Sequence, residues 1–146
     1  MKILVISDSH HFSLASIPFE KYDAILHCGD YGNSLEILKK HAFYVQGNCD
    51  SKGEKSLRLS LFGRDIYLTH GDKEQVKYGF DRLIYRALEE SVSVCIFGHT
   101  HQAVCFEEEN ILFLNPGAFP NSYIEITEDT IYLFQNKTKK AIQFRW

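Results

Sequence analysis

Residues 94–101 read VCIFGHTH, an apolar run that ends in a glycine and two histidines one residue apart. A short apolar, β-prone run closed by polar or glycine residues is typical of a buried strand. Four other runs share this pattern, and each ends at or near a side chain that could bind a metal ion. They are KILVIS (2–7), DAILHC (23–28), AFYVQ (42–46) and DIYLT (65–69).

The segments between and after these strands predict an α/β fold with two sheets. Apolar residues at helical spacing predict helices over 33–41 and 73–90, and strands that alternate with helices indicate an α/β domain. The rest reads as β structure, with a hairpin joining 57–61 to 65–69 and another whose tip is at 128–129. We therefore expect two mixed sheets packed face to face with helices outside. The remaining predicted strands are 103–106, 111–114, 123–127, 130–135 and 141–145.

Composition limits the classes of protein that this chain resembles. Its 146 residues favour a single domain over 1–146, and 45% hydrophobic residues is ordinary for a globular protein. The net charge of −3 argues against a partner such as long nucleic acid. The apolar runs are too short to span a membrane, and the N-terminus has no signal-peptide pattern, so we expect a cytoplasmic protein. The four cysteines form no C-x-x-C pair and predict no disulfide framework.

Side chains that could bind metal follow five predicted strands. In open α/β sheets, ligands bind beyond the carboxyl ends of the strands, so we expect these side chains to converge. Each has an ordinary structural explanation when taken alone, but their coincidence at five strand ends favours a metal site. The set comprises two carboxylates, one amide and four imidazoles: Asp8, His10, Asp30, Asn48, His70, His99 and His101.

The number and type of these donors suit two divalent ions. Seven ligands are too many for one tetrahedral zinc, whereas a bridging carboxylate would let two ions share them. If the backbone stays extended, residues two apart in D-S-H and H-T-H project to the same side. Imidazole, carboxylate and amide donors without thiolate fit Mn²⁺, Fe²⁺, Zn²⁺, Ni²⁺ or Mg²⁺ better than copper(I) or an iron–sulfur cluster.

The full series of motifs resembles that of the calcineurin-like metallophosphoesterases. The series is Asp8-x-His10, Gly29-Asp30, Gly47-Asn48-x-Asp50, His70-Gly71 and Gly98-His99-x-His101. The segments SDSHH, HCGD and GNCD, with the later NPGA, further resemble the small bacterial phosphodiesterase branch of that family. The resemblance implies a four-layer α/β sandwich, in which two packed mixed β-sheets are flanked by helices.

The resemblance also implies roles for the seven residues. One metal would be held by Asp8, His10 and His101, the other by Asn48, His70 and His99, and Asp30 would bridge the two. Asp30, Asn48 and His99 are then the candidate catalytic residues, and Mn²⁺ is the expected metal. The implied reaction is hydrolysis of a small phosphodiester, with a cyclic nucleotide as one candidate, by in-line attack of a hydroxide that bridges the metals.

Two positions depart from the wider family. Cys49 stands where many members have a histidine assigned to protonating the leaving group or contacting substrate, and a thiol is a poor cationic acid. Good leaving groups should therefore be favoured. Cys49 and His11 are the candidate substrate contacts. Asp72 stands where similar sequences have a histidine; it either orients His70 or, as we favour, caps a helix that starts near Lys73.

Other functions and assembly states remain open from the sequence. The same site could serve a phosphomonoesterase or nucleotide hydrolase, which Cys49 disfavours. A catalytically silent scaffold of this fold, similar to the retromer subunit of the same architecture, should have lost metal ligands, whereas all seven are present here. An exposed strand edge could also pair two copies into a homodimer.

Overall fold

Eleven strands form two sheets in the computed structural model, which describes all 146 residues. In chain order the strands are β1 (Lys2–Ile6), β2 (Ala24–His27), β3 (Phe43–Tyr44), β4 (Ser56–Leu61), β5 (Arg64–Thr69), β6 (Val94–Ile96), β7 (Val104–Glu108), β8 (Ile111–Asn115), β9 (Ser122–Thr127), β10 (Thr130–Gln135) and β11 (Thr138–Arg145). The six-stranded sheet has the order β11-β10-β9-β1-β2-β3, and the five-stranded sheet has the order β4-β5-β6-β8-β7.

Both sheets are mixed, and their parallel parts carry the segments that precede the candidate ligands. Strand β2 runs parallel to β1 and to β3, and β6 runs parallel to β5 and to β8. Parallel neighbours end at the same edge of a sheet. The loops after β1, β2 and β3 therefore leave one edge together, and those after β5 and β6 leave the corresponding edge of the other sheet.

The two sheets enclose an apolar core, and one helix covers the outer face of each sheet. Alternate residues of the strands, such as Val5 and Leu26 in one sheet and Leu68 and Ile96 in the other, are fully buried between the sheets. On the outer faces lie α1 (Leu35–His41) and α2 (Asp81–Glu89). Leu38 of α1 packs in a second buried cluster with residues of β1 and β2. In a third, Leu83 and Ala87 of α2 pack with residues of β5, β6 and β8. The predicted four-layer sandwich is confirmed.

The helix predicted over 73–90 is wrong in its first half. Residues Val76–Tyr78 form a short 3₁₀ helix instead, and α2 begins only at Asp81. Gly79 has φ of +134° and Gln75 has φ of +55°, so the backbone twice leaves the helical region. The apolar spacing misled because Val76 and Phe80 do pack on the same sheet as α2. No helix of the chain has the length and apolarity needed to cross a membrane.

A leucine truncation in the core tests the packing of the two sheets. We expect Leu68→Ala to lower the free energy of unfolding by about 2–5 kcal/mol, since it removes buried methyl groups and leaves a cavity. Leu88→Ala is the matched control, because Leu88 is 45% exposed on α2. Its effect should stay within about 0.5 kcal/mol. Equal losses in urea denaturation would contradict this description of the core.

Candidate metal centre

The loop after β1 and the loop after β6 bring three of the candidate ligands into one group. Oδ1 of Asp8 lies 3.2 Å from Nε2 of His101. Nε2 of His101 in turn lies 3.4 Å from Nε2 of His10. The ligand atoms of Asp8, His10 and His101 all fall within 4.8 Å of one another. This is the spacing expected of atoms that share one metal ion.

A second group forms around His70, at the end of β5. Its Nε2 lies 2.9 Å from Oδ1 of Asn48, 3.3 Å from Oδ2 of Asp30 and 3.2 Å from Nδ1 of His99. Oδ1 of Asp8 lies 3.9 Å from the same nitrogen, so the two groups adjoin. The structure therefore brings all seven predicted ligands together at the edge where the two sheets meet.

The backbone around the ligands is left-handed rather than extended. The D-S-H and H-T-H segments are not extended, so the condition under which residues two apart would project to the same side is not met. Left-handed geometry in a residue other than glycine costs about 1–2 kcal/mol, and such outliers cluster at functional sites. Five of the seven ligands have a φ between 47° and 72°: Asp8, His10, Asp30, His99 and His101.

The imidazole of His70 is oriented to offer a lone pair to a cation. Its Nδ1 lies 2.7 Å from the carbonyl oxygen of Cys28, which can only accept, so Nδ1 carries a proton and donates it. In the neutral ring the other nitrogen, Nε2, then presents a lone pair. That lone pair faces the oxygens of Asn48 and Asp30, which are also acceptors. Acceptors that face one another at this distance repel unless a proton or a metal ion lies between them.

Asp8 provides independent evidence that the site fits a metal ion. Its Oδ2 accepts hydrogen bonds from the Ser7 hydroxyl and from the backbone N–H of His99. Its Oδ1 is buried and has no hydrogen-bond partner. An unpaired buried carboxylate oxygen is costly, whereas a coordinated cation would satisfy it. Carboxylate and imidazole donors suit divalent Mn, Fe, Zn or Ni.

The electrostatics of the second group also favour a cation. Burial acts to raise the pKa of Asp30, but the contact with His70 and the backbone N–H of Cys49 outweigh it and hold the pKa well below its usual range. Burial acts to lower the pKa of His70, yet Asp30 and Asp8 raise it above its ordinary value. The Asp30 carboxylate therefore stays charged and attracts positive charge to the position of Nε2.

Asp50 holds two ligand loops together. Its Oδ2 accepts hydrogen bonds from the backbone N–H groups of Asp30 at 2.7 Å and Gly47 at 2.8 Å. Its Oδ1 accepts one from Tyr31 at 3.1 Å. Asp50 therefore binds the backbone of Asp30, the residue expected to bridge the two metal ions, and that of its neighbour Tyr31. Asp50 is thus a positioning residue for the loops after β2 and β3.

Asn115 and His27 are further positioning residues. Asn115 does hold its own turn by accepting from Gly117, but its Nδ2 also donates to Gly98 and Thr100 of the H-x-H loop. His27 is fully buried, and burial together with the charge of His70 lowers its pKa to about 3. Its Nδ1 accepts from the Gly29 N–H, so Nε2 donates to Ser9 Oγ.

Two glycines allow the loops to approach one another. A Cβ on Gly47 would lie 2.1 Å from Oδ1 of Asp30, and a Cβ on Gly98 would lie 2.1 Å from the Ser7 hydroxyl oxygen. A larger residue at position 47 would collide with Asp30, and one at position 98 would collide with Ser7 and Asp8. The glycines that precede Asn48 and His99 are therefore required by contact across the site rather than by backbone angles.

Three other predicted residues lie beside the ligands. The side chains of Cys49 and His11 are exposed. Burial, Asp30 and Asp50 raise the pKa of the Cys49 thiol, so it stays protonated. The helix cap predicted for Asp72 is wrong, because residues 72–75 form a turn and the 3₁₀ helix at Val76–Tyr78 is capped by Gln75. Burial and the charges of His70 and Lys77 lower the pKa of His99. The negative charge of Asp72 opposes this lowering.

Comparison with known proteins agrees with this geometry. The family model for the calcineurin-like phosphoesterase superfamily domain matches residues 1–139. The chain belongs to this family. Members of the family depend on metal ions, and the Asp and His groups described above could bind them.

Two curated proteins and two solved structures illustrate the similarity. A probable metallophosphoesterase, YsnB of Bacillus subtilis, is 32% identical over 99% of this chain and 90% of its own. The phosphodiesterase MJ0936 of Methanocaldococcus jannaschii is 26% identical over 80% of this chain and 83% of its own. A crystal structure of an uncharacterized protein from Streptococcus pneumoniae TIGR4, described as a predicted phosphoesterase, has a TM-score of 0.78 with 27% identity. It covers 97% of this chain and 96% of its own.

The second structure is Vps29 of Entamoeba histolytica complexed with zinc. It has a TM-score of 0.77 with 22% identity and covers 99% of both chains. At this level of identity the similarity shows a shared fold alone.

Truncation of Asp50 tests its positioning role. We expect Asp50→Ala to weaken Mn²⁺ binding about 10–100-fold, since residues that orient ligands affect affinity to this degree. The free energy of unfolding should also fall by about 3 kcal/mol, because three backbone donors lose a charged acceptor. Calorimetric titration and urea denaturation measure the two effects.

Asp81→Ala is the control for this experiment, because Asp81 is exposed at the start of α2. Its effect on stability should be below about 1 kcal/mol. Unchanged Mn²⁺ affinity in Asp50→Ala would show that Asp50 does not position the ligands.

Proposed function

We propose that the chain is a binuclear-metal-dependent phosphodiesterase that hydrolyses small phosphodiesters by in-line attack of water on phosphorus. The observation that carries this proposal is the position of Asp30, which lies with Asp8 and His70 within 4.8 Å. Asp8 also belongs to the group with His10 and His101, and His70 to the group with Asn48 and His99. A carboxylate between two such groups suits a bridge between two ions.

We assign one ion to Asp8, His10 and His101, the other to Asn48, His70 and His99, and both to Asp30. When bound, two divalent ions would supply an activated water and positive charge for the phosphoryl oxygens. We propose Mn²⁺ as the ion. All four cysteines are free thiols, which fits a cytoplasmic protein, where disulfides are rare.

The residues of the chain prepare this site for a phosphate anion. Asp8 is held through Oδ2 by Ser7 and the His99 N–H, which leaves Oδ1 free to point into the site. His70 is held through Nδ1 by Cys28, which fixes the direction of Nε2. Such preorganised donors need no rearrangement during the reaction. The two carboxylates balance only half of the charge of two divalent ions, so the site stays attractive to anions.

Cys49 favours a diester with a good leaving group over a monoester. Its backbone N–H donates to Oδ1 of Asp30, which places residue 49 beside the site. Its thiol stays neutral and offers no positive charge to a dianionic monoester. The name of the relative MJ0936, a phosphodiesterase, supports the same choice. We propose aryl phosphodiesters and cyclic nucleotides as the first substrates to examine.

Two alternative functions make different predictions at the same site. A phosphomonoesterase or nucleotide hydrolase would use the same ligands. A silent scaffold needs no metal ligands, so the convergence of all seven side chains disfavours it.

Ester selectivity tests the proposed reaction. We expect metal-stripped protein to be inactive, and protein with added Mn²⁺ to hydrolyse bis-p-nitrophenyl phosphate faster than p-nitrophenyl phosphate. Release of p-nitrophenol measures both rates. Preference for the monoester would favour the phosphomonoesterase. No turnover of either ester by protein that holds two ions would favour the scaffold.

Neutralising Asp30 tests its place between the ions. We expect Asp30→Asn to weaken binding of both Mn²⁺ ions by about 10²–10³-fold, since a charge at 4 Å contributes about 4 kcal/mol at an effective dielectric constant of 20. The matched variant Asp8→Asn should weaken chiefly one of them. Calorimetric stoichiometry separates these outcomes. An Asp30→Asn protein that retains full affinity for two ions would rule out the bridge.

A further inference from the structure

A cavity of about 450 Å³ opens beside the metal centre. One wall comes from the turn around the 3₁₀ helix and includes Val76, Lys77 and Phe80. The other wall is the segment that runs on from the H-x-H loop and comprises Thr100, Gln102, Ala103 and Val104. The volume of the cavity lies in the usual range of small-molecule sites.

Both walls are fixed to loops that carry candidate ligands. Val76 donates its backbone N–H to the carbonyl of Gly71, the residue that follows His70. Thr100 lies between His99 and His101, and its hydroxyl accepts a hydrogen bond from Asn115. The cavity therefore adjoins the metal centre, because its walls continue from loops that carry candidate ligands.

The chemistry of the cavity suits a flat apolar group. Val76, Phe80, Ala103 and Val104 supply an apolar lining. The Phe80 ring is held in place, since it stacks on Phe106 with a centroid distance of 5.1 Å and meets Phe97 edge to face. A fixed aromatic wall favours an aromatic partner. The polar residues Thr100 and Gln102 provide hydrogen-bonding groups of the kind that orient a ligand.

Lys77 contributes a free positive charge to the lining of the cavity. It is exposed and forms no ion pair with a carboxylate within 4.0 Å. Lys77 lines the same cavity as Thr100, which lies between the candidate ligands His99 and His101, so the ammonium is near the metal centre. Cys49 offers no such charge.

We propose that this cavity is the leaving-group subsite of the phosphodiesterase, with a lining that takes an aryl or nucleoside group and Lys77 stabilising the departing oxygen. The inference rests on the proposed function. As the oxygen of water bonds to phosphorus, the bond from phosphorus to the leaving oxygen breaks. The electron pair stays on that oxygen, where the ammonium stabilises it until solvent protonates it, and the proton of the attacking water passes to solvent. Lys77 thereby fills the role that a neutral thiol at position 49 cannot.

Leaving-group dependence tests Lys77. We expect Lys77→Gln to lower kcat/KM about 10²-fold on phenyl methyl phosphate, whose leaving group is poor, since charge or proton donation to a leaving group contributes at least this factor. On p-nitrophenyl methyl phosphate the loss should be less than about threefold, because nitrophenolate needs little stabilisation. Lys77→Arg should retain most of the activity on both. Lys40→Gln, an exposed lysine on α1, is the control.

A variant that fills the cavity tests the lining. We expect Ala103→Leu to raise KM for p-nitrophenyl methyl phosphate about tenfold and to leave KM for the small trifluoroethyl methyl phosphate unchanged, as a subsite for bulky leaving groups requires. Equal losses on good and poor leaving groups in Lys77→Gln, or equal effects on both diesters in Ala103→Leu, would overturn the subsite.

Failure of the subsite can be distinguished from failure of the proposed function. If the wild-type protein with Mn²⁺ hydrolyses no diester, the proposed function is wrong. The subsite is then decided by binding of methyl benzylphosphonate, a diester analogue in which a CH2 group replaces the leaving oxygen, so that the bond to the aryl side is not hydrolysed. Saturable shifts of the amide NMR signals of Gln102 and Ala103 support it, and the absence of such shifts rejects it.

Discussion

Repulsion between converging lone pairs is the constraint on which the rest of this structure depends. Nε2 of His70 faces the oxygens of Asn48 and Asp30, and Oδ1 of Asp8 is buried without a donor. Such an arrangement is unfavourable unless positive charge lies within it. The surrounding hydrogen bonds, from Ser7, Asp50 and the Cys28 carbonyl, hold the donor atoms in place. A cation bound among these atoms would offset the free energy that the arrangement costs.

The two-sheet architecture makes that convergence possible. Each sheet contributes parallel strands whose carboxyl ends lie at one edge, and the buried core between the sheets sets those edges side by side. Ligands far apart in sequence, such as Asp8 and His101, are thereby brought within 3.2 Å. The glycines at 47 and 98 then let the loops approach more closely than any other residue would permit. The sandwich provides the scaffold, and the loops provide the chemistry.

Much of this could be predicted from the sequence, because it depends on local patterns. All eleven strands were predicted, and all seven candidate ligands lie together. Features that arise from packing could not be predicted. The left-handed backbone at Asp8 and His99 follows from contacts between loops, so the condition of an extended backbone was not met. The break at Gly79 was hidden because Val76 and Phe80 keep a helical spacing on the same face. The NPGA motif contains Asn115, but only the fold shows that its side chain reaches Gly98 and Thr100.

The cavity beside the H-x-H loop extends the account from metal ions to substrate. It adds a cation, Lys77, to a site in which the Cys49 thiol stays neutral. The most direct test of the central claim is the position of bound metal. Anomalous diffraction from crystals soaked in Mn²⁺ should show two peaks, one beside Asp8, His10 and His101 and one beside Asn48, His70 and His99, with Asp30 between them. A single peak, or two peaks away from Asp30, would contradict the account.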